Sequence, residues 1–273
     1  MIVDFHTHSL MSDGALSPGE LLRRAVDRGV EQLSITDHDT LAAYEQLPVP
    51  ESIKLVPGIE LSCVWQGVTV HVLGLNVQPA DPALRAAVMS QERAREQRAV
   101  QIGERLAQRG IEGMFDAARG QAGARRALGR PDFARALLAR GAVSSVQQAF
   151  KRYLGAGKIG DVKSHWPLLD EVLQWISGSG GVAVLAHPLH YKLTRARLRA
   201  LVADFMAAGG RGLEVANGRQ WTPTELRSLQ ELCRDFGLVA SVGSDFHADS
   251  RWSDVGCDAA LVGDCVPVWR MWE

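Results

Sequence analysis

Short apolar runs recur along the chain and alternate with segments patterned as helices. Strand-like runs cover Ile2–Phe5, Leu33–Thr36, Leu55–Ile59, Thr69–Leu75, Val182–Ala186, Gly212–Ala216, Leu238–Val242 and Ala259–Val262. Between them, Ser17–Arg28, Leu168–Ser177, Arg195–Ala208 and Thr222–Phe236 place apolar residues at helical spacing, and Ser17 and Thr222 each stand before a proline as N-caps. Alternation of this kind predicts an α/β chain built as a parallel (β/α) barrel, with fewer than eight strands allowed. From Asp81 to Lys163 the rhythm breaks into a helix-like, arginine-rich stretch without a strong strand signal. That stretch is read as an insertion of residues 81–163 between two barrel segments, 1–80 and 164–273.

The polar residues that interrupt the apolar runs, or come directly after them, are as regular as the runs themselves. His6 and His8, Asp37 and His38, Glu60, His71, His187, and Asp245 with His247 all stand inside or just after a run. The end of a buried strand in an α/β protein lies where loops gather into an active site. A single histidine there is most simply a hydrogen-bonded core or surface residue. Recurrence after six runs predicts instead that imidazoles and carboxylates converge on metal ions.

Composition narrows the class. The chain has 273 residues, is 46% hydrophobic and carries a net charge of −1, enough for one barrel or two small domains. No basic, long-apolar leader opens it and no apolar run approaches a membrane span, so a cytoplasmic protein without membrane association is expected. Cys63, Cys233, Cys257 and Cys265 form no CxxC pair, which argues against a disulfide framework or thiolate zinc site. GxSxG, Walker A and GxGxxG motifs are absent, which leaves acyl transfer, nucleoside triphosphate hydrolysis and dinucleotide redox chemistry without support.

The near-neutral total hides an asymmetry. Residues 81–163 hold sixteen Lys and Arg against eight Asp and Glu, a balance of +8, so the remainder carries −9. Many of these arginines fit a solvated helix face with i,i+4 partners. Arg130 and Arg135 stand apart: Pro131 suits the first turn of a helix beginning near Arg130, placing both where backbone N–H groups and the helix dipole favour an anion. Guanidinium geometry suits phosphate.

The HTH start, Asp13 after Ser12, TDHDT, the GIE glutamate, isolated His71, the AHP segment at His187 and SDFH near the end together resemble the polymerase-and-histidinol-phosphatase (PHP) family of the amidohydrolase superfamily. The resemblance spans roughly residues 1–80 and 164–263. The insertion, with LGRPDFARAL, is similar to a branch that removes the 3′-phosphate from nucleoside 3′,5′-bisphosphates, some relatives of which trim short RNA from the 5′ end. The family implies a distorted (β/α)7 TIM-like barrel with two or three divalent metals, Mn²⁺ first and Zn²⁺ or Fe²⁺ as alternatives. It also implies their ligands. His6, His8, Glu60 and Asp245 hold one ion, Glu60 bridges to a second held by His71 and His187, and Asp13, His38 and His247 hold a third. Imidazole with carboxylate and no thiolate independently suits such ions. Neighbouring metals lower the pKa of a bridging water and orient a phosphoester, so hydroxide attack on phosphorus needs no serine or cysteine nucleophile.

Other residues receive supporting roles. Asp4, Asp37 and Asp39 are expected to orient imidazoles from behind. His190 is expected at the loop rim, binding phosphate or protonating the leaving group. Lys158, Ser164 and His165 are candidates for the non-reacting phosphate, Asn217 for a metal-bound or substrate oxygen, and Trp269 and Trp272, with Trp252, for closing the barrel bottom. The leading expectation is a phosphatase for a small nucleotide bearing two phosphates, the second clamped by Arg130 and Arg135 under a substrate lid formed by the insertion. Histidinol phosphate or general phosphomonoester hydrolysis, 5′-to-3′ trimming of short RNA, and a non-enzymatic PHP module are the alternatives. No obligate protein partner is evident.

Overall fold

A computed structural model describes residues 1–45, 47, 51–123, 126–163, 165–218, 221–249 and 254–273. Of the residues named above, Ser164 and Trp252 lie outside the described residues. The chain divides into two compact units, Met1–Val88 with Pro167–Glu273, and Met89–Trp166.

The first unit holds all nine described strands: β1 (Ile2–Asp4), β2 (Val30–Leu33), β3 (Lys54–Leu55), β4 (Gly58–Trp65), β5 (Val68–Leu75), β6 (Val182–Leu185), β7 (Gly212–Ala216), β8 (Val239–Val242) and β9 (Cys257–Asp258). They form a four-stranded sheet in the order β3-β2-β1-β9 and a five-stranded sheet in the order β4-β5-β6-β7-β8. Backbone bonds stitch the two sheets together at both margins. Phe5 N–H donates to Val242 O at 3.1 Å and Asp245 N–H to His6 O at 2.7 Å on one side, and Asp39 N–H donates to Glu60 O at 2.8 Å on the other.

The strand directions depart from the expected parallel alternation. β1, β2 and β3 run parallel, as do β6, β7 and β8, but β5 is antiparallel to both β4 and β6. The cause is local. Only Gln66 and Gly67 separate β4 from β5, with φ of 44° and 76°, the doubly left-handed turn whose twist matches a hairpin. Three other expectations also fail. Leu33–Thr36 shares only Leu33 with a strand, β2 covering Val30–Leu33. Leu55–Ile59 is broken at Pro57, which has no N–H to continue a ladder, into β3 and β4. Ala259–Val262 is a 3₁₀ turn capped by Asp258, whose carboxylate accepts the Ala260 N–H at 2.9 Å.

Helices α1 (Pro18–Asp27), α6 (Leu169–Gly178), α7 (Arg195–Ala207) and α8 (Pro223–Asp235) belong to this unit. Reciprocal caps from Ser17 with Glu20 and Thr222 with Glu225 start α1 and α8, each with proline in the first turn. Trp269 stacks on Phe5 with ring centroids 5.8 Å apart, and Trp272 meets the same ring edge-on at 5.6 Å. Among the described residues, no helix is long and apolar enough to cross a membrane, and the four cysteines are unbridged.

Helix α2 (Pro82–Ala107) begins in the first unit and continues into the second, where α3 (Met114–Ala122), α4 (Arg130–Ala139) and α5 (Val146–Ala149) come next, α5 running into a π-helical turn at Phe150–Leu154. Ile102, Leu106, Met114, Phe133, Leu137, Leu154 and Val162 form its core.

Candidate metal centre

The first strand sets the pattern. Alternation along an extended chain sends Asp4, His6 and His8 to one side, and all three are fully buried. Glu60 is the third residue of β4, and His71, opposite Ser62 in the hairpin register, is the fourth of β5. These two side chains therefore project from strand interiors rather than strand ends. His187 and Asp245 come after β6 and β8 on backbone twisted into the left-handed region, with φ of 28° and 51°, and Asp39 does the same at 55°. Such conformations cost about 1–3 kcal/mol each and persist where the surroundings impose them.

One carboxylate occupies the middle. Oε1 of Glu60 lies 2.8 Å from His71 Nδ1 and 3.0 Å from His187 Nε2. Oε2 lies 3.0 Å from His38 Nδ1, 3.2 Å from His8 Nε2 and 3.3 Å from His6 Nε2. Asp245 Oδ1 stands 3.4 Å from both His6 Nε2 and His8 Nε2 and 3.6 Å from His247 Nδ1. Asp13 approaches His247 Nε2 at 3.3 Å and His8 Nδ1 and His38 Nε2 at 3.9 Å.

Three groups have donor atoms close enough to share an ion: His6, His8 and Glu60; His38, Glu60 and His71; and His8, Asp13, His38 and His247. This differs from the expected grouping at four residues: Asp245 and His187 fall outside the three groups, and His8 and His38 each belong to two. His8 serves two groups because its nitrogens face opposite ways, and His38 turns Nδ1 toward Glu60 as well as Nε2 toward Asp13.

The polar atoms themselves indicate that something is to be bound. Glu60 Oε2, His6 Nε2, both nitrogens of His8 and His38 Nδ1 are buried without a hydrogen-bond partner. Buried polar atoms in proteins are otherwise almost always satisfied. Burial opposes charge on Glu60, yet the surrounding His38, His71 and His6 hold its carboxyl well below the usual range. Burial likewise works against the His8 cation, but the Asp245 and Glu60 carboxylates beside its ring raise its pKa to about 10. At His71 burial wins over Glu60 and pushes the value down to about 4. Nitrogens and oxygens that compete for protons in this way are the donor set a divalent cation takes over, with release of those protons.

Behind the ligands stand carboxylates with fixed duties. Asp4 accepts N–H groups from Ser244 at 2.8 Å and Gly256 at 2.7 Å. Asp37 does not orient an imidazole, contrary to expectation; it accepts the Ser9 N–H and the Ser9 and Ser12 hydroxyls at 2.6–2.7 Å, bracing the loop after His8. Asp39 accepts the Ser62 N–H at 2.7 Å and hydroxyl at 2.9 Å. Glu214, in the middle of β7, receives His6 Nδ1–H at 2.8 Å and the His187 main-chain N–H at 2.6 Å. Sequence reasoning passes over Glu214, although a lone charge inside the buried run GLEVA is a signal for it.

The remaining candidates divide between the units. His190 is exposed on the turn after His187, its ring stacked on His187 at 5.0 Å. Asn217 is 3% exposed, and neither side-chain polar atom has a partner among the described residues. In the second unit, Pro131 does start a helix at Arg130, but the anion at that N-terminus is internal. The Asp132 carboxylate accepts the Gly129 N–H at 2.7 Å and bonds Arg126 and Arg135. Arg135 is thus engaged by its own helix, which weakens the expected two-arginine clamp. Arg130 is half-buried, donates to Leu154 O at 3.3 Å and lies 3.9 Å from Asp161. Lys158 is exposed, and His165 is half-buried with Nε2 unpartnered.

A mixed α/β fold that gathers six imidazoles and three carboxylates from strands and from the segments that follow them defines a metal-dependent hydrolase. The chain belongs to the PHP-domain family. The family model matches residues 4–75. A 5′-3′ exoribonuclease of Haemophilus influenzae is 40% identical over 270 residues, covering 98% of this chain and 97% of that protein. A 3′,5′-nucleoside bisphosphate phosphatase of Chromobacterium violaceum is 39% identical over 275 residues, covering 99% and 96%. The solved structure of a Chromobacterium violaceum amidohydrolase with bound sulfate and no metal is 38% identical, covers 98% of this chain and 94% of its own, and superposes with a TM-score of 0.88.

Proposed function

We propose that this protein hydrolyses the 3′-phosphate of nucleoside 3′,5′-bisphosphates, using two or three divalent ions, Mn²⁺ first. The observation that carries the reading is the Glu60 carboxylate, whose two oxygens face different imidazole sets at 2.8–3.3 Å. His6, His8, Asp13, His38, Glu60, His71, His187, Asp245 and His247 would hold the ions. When bound, the ions supply charge neutralisation for a phosphoryl group and acidify a water.

The chain's own residues do the rest. The imidazoles and carboxylates fix the position of the phosphate, and the buried ring of side chains limits access of bulk water. His190, exposed and stacked on His187, donates a proton to the departing 3′ oxygen. Asn217 offers an unpartnered amide to a substrate oxygen. Arg130, with Lys158 and His165, recognises the second phosphate, and Arg135 joins only by releasing Asp132; the second unit is the substrate-selecting insertion. Closure of the two sheets into a distorted (β/α)7 barrel is supported by the backbone bonds at both margins.

The name of the Chromobacterium violaceum relative, 39% identical, supports the bisphosphate reading, and that of the Haemophilus influenzae relative, 40% identical, supports 5′-to-3′ trimming of RNA. The test is phosphate or nucleotide release from Mn²⁺-loaded protein with adenosine 3′,5′-bisphosphate, 3′-AMP, 5′-AMP, histidinol phosphate and a short 5′-phosphorylated RNA. Rapid conversion of the bisphosphate to 5′-AMP, with little action on the monophosphates, is expected. Mononucleotide release from RNA as the faster reaction assigns the exonuclease activity, and equal turnover of all monoesters overturns the two-phosphate reading.

A further inference from the structure

We propose that Glu214 is a positioning residue that locks two parts of the metal centre to one carboxylate, setting the proton on His6 and the backbone of His187 together; the proposal rests on the metal-binding reading of the site. Glu214 is 1% exposed in the third position of β7, where every neighbour along the strand is also buried. Among the described residues, no lysine or arginine ion-pairs with it. A buried carboxylate without a cation is expensive unless strong donors satisfy it. Here the two donors both belong to the centre, one per oxygen: His6 Nδ1 at 2.8 Å on Oε1 and the His187 N–H at 2.6 Å on Oε2.

The first bond decides a tautomer. A carboxylate can only accept, so Nδ1 of His6 must carry the proton, and Nε2 turns its lone pair toward Glu60 and Asp245, 3.3 and 3.4 Å away. The second bond holds His187 at φ 28° and ψ 56°, a conformation disfavoured for any residue with a Cβ. That twist is what places His187 Nε2 3.0 Å from the opposite oxygen of Glu60. A single group thereby aims His6 and His187 at the two oxygens of the bridging carboxylate.

Glu214→Gln separates positioning from mere filling of space, because it keeps the shape and removes one acceptor. If the amide oxygen takes the His187 N–H, the amide NH₂ faces His6 Nδ1, which must then accept and move its proton to Nε2, blocking the ligand atom. If the amide turns over, NH₂ meets the His187 N–H, and the strained turn loses its anchor. Either arrangement damages one ligand.

The experiment is calorimetric titration of metal-free wild type and variant with Mn²⁺, beside thermal unfolding of the metal-free proteins. Wild type is expected to take up at least two ions, and Glu214→Gln to weaken one of them by roughly 10–100-fold, the range for partners that orient metal ligands. In the Zn²⁺-loaded proteins, imidazole ¹⁵N shifts are expected to place the His6 proton on Nδ1 in wild type and to show a changed ring environment in the variant. Should Glu214→Gln fail to fold, Glu214→Asp takes its place; one methylene shorter, it keeps the charge but serves one donor only, and the same loss is expected. Mn²⁺ affinity within twofold of wild type, with only the metal-free unfolding midpoint lowered, makes Glu214 a structural residue and overturns the proposal. Wild type that binds no Mn²⁺ overturns the metal-centre reading itself.

Discussion

Glu60 and Asp132 are both buried carboxylates, 0% and 1% exposed, one in each unit, and their surroundings could hardly differ more. Asp132 is completed by the protein: Arg126 and Arg135 bond it at 2.6 and 2.7 Å, and the Gly129 N–H adds a third donor at 2.7 Å. Glu60 is ringed by five imidazoles, none of them a permanent cation, and Oε2 remains without a hydrogen bond. A carboxylate that folding satisfies stabilises the fold. One that folding leaves unfinished is prepared for something that arrives afterwards.

Removing the unfinished carboxylate has the largest expected effect. Glu60→Gln deletes the charge shared between ligand groups, and phosphate release should fall by roughly 10³-fold, corresponding to several kcal/mol of lost charge stabilisation. Mn²⁺ at about 100 times its dissociation constant should stabilise wild type by about 2.7 kcal/mol, and Asp132→Asn by a similar increment, while Glu60→Gln gains little. Equal Mn²⁺ stabilisation of the Glu60 and Asp132 variants would break the contrast.

Removing the finished carboxylate should act on stability instead. Asp132→Ala leaves two guanidiniums and the α4 N-terminus without their anion, and urea denaturation should show a loss of about 3–5 kcal/mol. The pH dependence has a definite sign. Burial raises the Asp132 carboxyl, but Arg126, the Gly129 N–H and Arg135 outweigh it and hold the group below its ordinary value. Its stabilisation is therefore fully present above about pH 4, the unfolded value, and disappears as pH falls through the lower folded one. The wild-type advantage over Asp132→Ala should shrink on acidification; an advantage that grows below pH 4 would contradict the assignment.

A smaller effect tests how closely the metal centre is packed. A Cβ on Gly243 would lie 2.3 Å from His6 Cβ and 2.7 Å from His6 N, where neither strand can yield easily. Gly243→Ala should cost about 1–3 kcal/mol by overpacking and weaken Mn²⁺ binding through displacement of His6. Unchanged Mn²⁺ affinity would mean that the ligand shell tolerates movement of β1.

How much of this the sequence disclosed depends on the range of the interaction. The apolar runs located β1, β6, β7 and β8 and the residues just beyond them, because burial and period-two alternation are local properties. Glu60 was recognisable as a ligand type but not as a mid-strand residue, because the run before it ended at Ile59 whereas β4 continues to Trp65. His71 already stood inside Thr69–Leu75, but the reversed direction of β5 was not legible, since it depends on the left-handed conformation of Gln66 and Gly67. The 3₁₀ turn at Ala259–Val262 read as a strand because four apolar residues have no distinguishing period at that length. Glu214 and the pairing of Arg135 with Asp132 were invisible for opposite reasons. Glu214 finds its partners 208 and 27 residues away, whereas Arg135 was assigned a distant anion when one lay three residues before it.

The smallest prediction concerns backbone strain, which the hairpin and the metal centre share. Gln66 holds φ 44° to make a turn, while His187 and Asp245 hold φ 28° and 51° beside the candidate metal centre. Asparagine tolerates the left-handed region better than glutamine and is the residue this turn type favours. Gln66→Asn gives up the 3.4 Å contact from its amide to Asp204, long for a hydrogen bond and exposed, so the relief of strain should prevail. A stability gain of about 0.5 kcal/mol by urea titration, with Mn²⁺ affinity unchanged, is expected. The same substitution at His187 or Asp245 would relieve comparable strain but should forfeit metal binding, because there the strained backbone is what brings the ligand to Glu60 and its neighbours. A Gln66→Asn protein less stable than wild type would show instead that the contact to Asp204 outweighs the turn's preference.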